Sequence, residues 1–156
     1  WGNLNNPKVT VDPESSRNLL FVKQAYFRLA QSLANRNQND SAVAVLDKCI
    51  EFFPDNKIPF DYYMMHYPAL YYKCGAMEKG DLVAETIAEN YFETLRYYAR
   101  LEPRFIDYYA DDIRDNLAII NQMVETAKKY LRTDLYTRLD SELDIEFNRF
   151  YDVLKK

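Results

Sequence analysis

From Tyr26 to Pro54 the residues follow a spacing that points to a repeat-type helix hairpin, with a generic helical hairpin as the alternative. Tyr26, Leu29, Ala30 and Leu33 recur as the apolar face of one helix. After a polar break at 37–40, Ala42, Leu46, Cys49 and Pro54 follow in the order small, large, small, proline. Each choice has a physical reason. Small Ala30 and Ala42 let two antiparallel helices approach closely, and the large residues fill the groove between them. Pro54, which has no amide hydrogen to donate, ends the second helix.

These eight positions match the tetratricopeptide repeat, a helix hairpin that buries its apolar face by stacking on copies of itself. The predicted fold is therefore all-α: tetratricopeptide-like hairpins in a right-handed array, closed by a long C-terminal antiparallel helix hairpin. With only 3 Gly and 6 Pro in 156 residues, the chain has little turn material for an all-β fold. A net charge of −4 argues against a broad nucleic-acid surface. No apolar run reaches the roughly 18 residues a membrane span needs, and no signal peptide opens the chain. The start at Trp1 rather than Met suggests a piece of something longer.

Taken in order, residues 1–12 read as an extended arm, with Asp12 capping a helix that opens at Pro13 and Glu14. That helix should run to about Arg36, with Asn39 or Asp40 capping the second, and the two make a repeat over 13–57. A degenerate pair is expected over 58–101: an aromatic helix opened by Pro59 and kinked at Pro68, a left-handed cap at Gly75, then a helix from Glu78 to Arg100. Aligning Gly75 with Asn37 places Gly80 opposite Ala42. Over 102–156, Ile106, Ile113, Ile120 and Ala127 recur every seven residues, as do Ala110, Leu117, Val124 and Leu131. They predict one long helix with a coiled-coil-like seam. A final helix carries Leu135, Leu139, Leu143, Phe147, Phe150 and Leu154, and with its predecessor forms a capping hairpin. Residues 13–156 are thus expected to make a single helical domain.

Catalytic constellations are thin. His66 is the sole histidine and has neither a nucleophile nor further metal ligands at matched spacing. Asp111, Asp112 and Asp115 read as a solvated helix face beside Arg114, with paired carboxylates as the enzymatic alternative. Cys49 reads as packing, and its pairing with Cys74 is left open. No cofactor motif occurs. The 14 tyrosines carry more information, several as doublets: Tyr62-Tyr63, Tyr71-Tyr72, Tyr97-Tyr98 and Tyr108-Tyr109. Neighbours on a helix point about 100° apart, so one of each pair can be buried while the other faces out. Outward members of the first three doublets are the candidate binding surface for peptide or sugar; the alternative is that they only fill helix contacts.

The combination of WGN at Trp1 to Asn3, RLAQSL, VLDKCIEFFP, IPFDYY at Ile58 to Tyr63, YYKCG and LRYY resembles one family over roughly residues 1–98. It is similar to the soluble C-terminal tail of bacterial multi-pass membrane proteins described as protein O-mannosyltransferase-like. The resemblance implies that sugar-transfer chemistry belongs to an upstream membrane portion and that this segment carries no catalytic residue. It also implies a periplasmic location and a role in binding partner or acceptor polypeptides. The expected function is non-catalytic protein interaction. A free-standing soluble scaffold is the alternative, and an enzyme built on the Asp111–Asp115 acids the third reading.

Overall fold

The computed structural model describes residues 13–155, with side-chain surroundings from Leu19 onward. The arm at 1–12, with Trp1 and the Asp12 cap, lies outside the described residues. Among the described residues every regular element is helical: α1 Pro13–Asn35, α2 Asn39–Phe52, α3 Tyr67–Lys73, α4 Met77–Tyr98, α5 Pro103–Ile106, α6 Ala110–Lys129, α7 Thr133–Arg149 and α8 Tyr151–Leu154. Short 3-10 turns at Tyr62–Met64 and Asp107–Tyr109 precede α3 and α6.

The chain divides into two compact units that meet between Gly80 and Asp81, one turn inside α4. The sequence boundaries at 57/58 and 101/102 do not anticipate that division. In the first unit, α1 and α2 form a hairpin with Ala30, Ala42, Leu46 and Cys49 fully buried. Short α3 packs on both of them. Tyr26 is half-buried against Phe52 and Phe53, with ring centroids 6.4 Å from each. Leu29 departs from the expected groove filling, being half exposed. It shares a face with Phe21 and Ala25, eight and four residues earlier, and both of these are exposed as well.

The second unit holds the rest of α4 and everything after it. Helices α6 and α7 pack together as a hairpin, with Ile113, Leu117, Ile120, Met123, Val124 and Ala127 buried along α6. Ion pairs tie α4 to α7: Asp81 to Arg132 just before α7, Glu85 to Arg138, and Arg96 to Glu142. The partners ascend together along both helices, so α4 and α7 run in the same direction.

Three helix–helix turns share one construction. Asn37, Gly75 and Leu131 have positive φ, at 59°, 84° and 57°. In each, the next residue's amide donates to a carbonyl five residues back: Gln38 to Leu33, Ala76 to Tyr71 and Arg132 to Ala127, at 3.0, 3.0 and 2.9 Å. That bond closes the end of the preceding helix. The following helix starts two residues after the left-handed one, at Asn39, Met77 and Thr133. The alignment of Gly75 with Asn37 thus joins equivalent turns, and Leu131 is a third that its side chain conceals.

Several sequence expectations change. Pro68 does not kink a helix; it sits in the first turn of α3, where its missing amide hydrogen would have no helical acceptor. The residues after Pro59 form no long helix either. Asp55 Oδ1 accepts the Phe60 amide at 2.7 Å, and Asp61 caps the 3-10 turn, so both carboxylates favour local turns. Neither Asn39 nor Asp40 caps α2, because Gln38 stands at the cap position without a side-chain bond. The long helix expected from 102 is interrupted at Asp107–Tyr109, and Leu131 leaves the seam for the turn. Phe147 is exposed while Glu146 is buried. A row spaced every four residues drifts about 40° per step, so three steps carry Phe147 off the face that Leu135 occupies.

Candidate functional site

A concavity in the first unit begins with a helical triplet. Gln24, Phe27 and Arg28 lie at i, i+3 and i+4 on α1 and so share one face. Opposite them, the chain between α2 and α3 supplies Tyr62, Tyr63 and His66. Together the six line a pocket of about 200 Å³.

The turn that presents the tyrosines is held from below. Asp61 Oδ1 accepts the Tyr63 amide at 3.1 Å, and its Oδ2 lies 3.9 Å from Lys23 Nζ. Tyr67, just beyond His66, is fully buried; its hydroxyl donates to the Lys23 carbonyl at 2.9 Å. Its one hydrogen is thereby committed, so the Cys49 thiol 3.2 Å away donates to the hydroxyl oxygen. Burial pushes both Tyr67 and Cys49 above their ordinary pKa values, which keeps each protonated as a donor. Phe27 leans on Tyr67 and on His66, with ring centroids 5.4 and 6.1 Å apart. The pocket wall therefore rests on a hydrogen-bonded core. Lys23 is the exception within it: 1% exposed, with no hydrogen-bond partner for Nζ. Burial drives its pKa down, against the opposing pull of Asp61.

The tyrosine doublets separate by environment. Tyr62 and Tyr63 are both outward, 55% and 42% exposed, edge to face at 5.7 Å. Tyr71 and Tyr72 are both buried and offer no surface. The Tyr71 hydroxyl donates to Asp47 at 2.9 Å, and a Cβ on Gly80 would collide with the Tyr72 ring. Tyr97 is 59% exposed beside half-buried Tyr98, which stacks on Tyr109 at 4.8 Å. The structure thus brings Tyr62 and Tyr63 into one pocket, and Tyr97 with Tyr98 into a separate cluster in the second unit. Sequence reading missed Gln24, Phe27 and Arg28, although their helical spacing was available as a signal.

The remaining candidates are simpler. Cys49 and Cys74 are free thiols. Asp111, Asp112 and Asp115 are exposed on α6, with Asp111 held by Arg114 at 2.6 Å. Among the described residues no group of three or more His, Cys, Asp or Glu is placed to hold a metal. No helix among them is long and apolar enough to cross a membrane. Comparison with family models, curated protein sequences and solved structures returns no match.

Proposed function

We propose that this chain is a non-catalytic protein-interaction domain built on tetratricopeptide-like hairpins. It binds partner or acceptor polypeptides as the accessory tail of a membrane glycosyltransferase-like protein at the periplasmic face. The hairpin reading is supported by the three equivalent left-handed turns and by the buried Ala30, Ala42, Leu46 and Cys49. The observation that carries the binding reading is the exposed Tyr62–Tyr63 pair facing Phe27 across a pocket. Rigid aromatic area with hydroxyl tips suits contact with polypeptide. The membrane connection rests on the sequence resemblance over residues 1–98.

Selection of displayed peptides against the purified chain tests the binding reading. Enriched peptides should bind the parent and lose about tenfold or more in affinity to a Tyr62→Ser, Tyr63→Ser variant of unchanged melting temperature. An empty selection, or affinity indifferent to the substitutions, removes the reading. Sequencing the gene upstream of the Trp1 codon tests the membrane connection. Spans of about 20 apolar residues there support it, and a start codon or a soluble domain removes it.

A further inference from the structure

We infer that the pocket between Gln24–Arg28 and Tyr62–His66 takes one aromatic carboxylate, presented as the C-terminal aromatic residue of a partner polypeptide. This deepens the peptide-binding reading and rests on it. Phe27, Tyr62, Tyr63 and His66 give the pocket aromatic walls, which favour a flat ring in stacked or edge-on contact. Its remaining lining residues, Arg28 and Gln24, both carry N–H donors, and Arg28 adds a permanent positive charge matched to a carboxylate. Asp61, the acid preceding the tyrosines, accepts the Tyr63 amide and lies near Lys23, and among the described residues it forms no ion pair with Arg28. The occupant should therefore bring its own anion.

The size and make-up of the pocket choose between a chain end and an internal acid. Among the described residues, two short stretches, 24–28 and 62–66, form the lining, and about 200 Å³ holds a single large side chain. A C-terminal aromatic residue supplies ring and carboxylate together on one residue. An internal Asp or Glu supplies the anion without the ring, and would have to carry two flanking chain segments past Tyr62 and Tyr63.

The test uses the intact chain and three small probes: N-acetylphenylalanine, its C-terminal amide, and N-acetylglycine, titrated by calorimetry and by amide NMR. The free acid should bind about tenfold or more tighter than the amide, the expected loss when a charge-assisted hydrogen bond is removed. It should exceed N-acetylglycine similarly and shift the signals of Tyr62, Tyr63 and His66. Arg28→Gln, at an exposed position, should erase the acid–amide difference, and Tyr62→Ser should weaken the acid and the amide alike. Equal affinity for acid and amide, a difference that survives Arg28→Gln, or shifts confined to other residues would overturn the proposal. The displayed-peptide selection separates this failure from that of the broader reading. Peptides that bind equally well with an amidated C-terminus overturn the carboxylate pocket and leave peptide binding standing. An empty selection removes peptide binding and with it the polypeptide origin of the occupant.

Discussion

The two units differ in the polar contacts that join their helices. In the first, tyrosine hydroxyls reach inward: that of Tyr67 contacts the Lys23 carbonyl and Cys49, and that of Tyr71 donates to part-buried Asp47, whose other oxygen takes Lys79 at the surface at 2.6 Å. In the second, the polar ties between α4 and α7 lie at the rim. Asp81 with Arg132, Glu85 with Arg138, and Arg96 between Glu89 and Glu142 form partly exposed ion pairs along α4 and α7. Buried hydrogen bonds act in a low dielectric and barely feel salt, whereas pairs at the rim are screened and individually weak. The first unit should accordingly owe more to a few irreplaceable side chains, and the second more to apolar packing with an electrostatic margin.

The sharpest way to break this contrast is Tyr67→Ala. Removing a fully buried ring together with its two hydrogen-bond contacts should cost about 3–5 kcal/mol, measured by urea denaturation. A loss near that of an exposed residue such as Tyr97→Ala would refute the account of the first unit. Next comes Lys23→Met, which keeps the buried stem and deletes an ammonium that has no hydrogen-bond partner and only a long ion pair with Asp61. It should raise stability at neutral pH by about 1–3 kcal/mol. The sign with pH follows from the lowered pKa. Unfolded Lys23 keeps its proton up to about 10.5, while the buried group releases it earlier, so in that window the unfolded state binds more protons. Parent stability therefore gains from Lys23 as pH rises through the window. The advantage of Lys23→Met should be full below the lowered value and shrink toward 10.5. A gain independent of pH would refute the burial argument.

Smaller effects are expected in the second unit. Arg132→Met should cost about 1 kcal/mol at low ionic strength and less in 1 M salt, with equilibrium unfolding measured at both. The Tyr67 effect should not change between the two conditions. Equal salt dependence at the two sites would dissolve the distinction between the units. Smallest is Leu131→Gly. Leu131 is 84% exposed, so little packing is lost, and glycine relieves a left-handed backbone that a leucine adopts at a cost. A stabilisation of roughly 0.5–1 kcal/mol is expected, read as a raised melting temperature. Destabilisation would mean that the Leu131 side chain makes a contact worth more than the strain.

Legibility followed the range of the interactions. The α1–α2 hairpin could be read because its spacing and its break at 37–40 are local, and so could the left-handed Gly75. Leu131 escaped notice because nothing in a leucine announces positive φ; only its backbone reveals the third turn. The strict four-residue row in α7 misled at Phe147, since small angular errors accumulate along a helix. At the candidate site, Tyr62 and Tyr63 stood out as a doublet. Their partners Phe27 and Arg28 lie more than thirty residues earlier, and the intervening chain had to fold before the six residues could be recognised as one pocket.

The sequence by itself determined that the chain is helical, where most of its helices lie, and which small residues let α1 and α2 approach. Those properties depend on periodicity and on residue size, which act over a few turns. Tertiary structure alone decided which tyrosines face outward. Tyr62-Tyr63 and Tyr71-Tyr72 are the same dipeptide, yet one pair is exposed and the other buried. The difference arises because α3 packs on α1 and α2, burying every aromatic residue it carries, while Asp61 holds the turn before it at the surface.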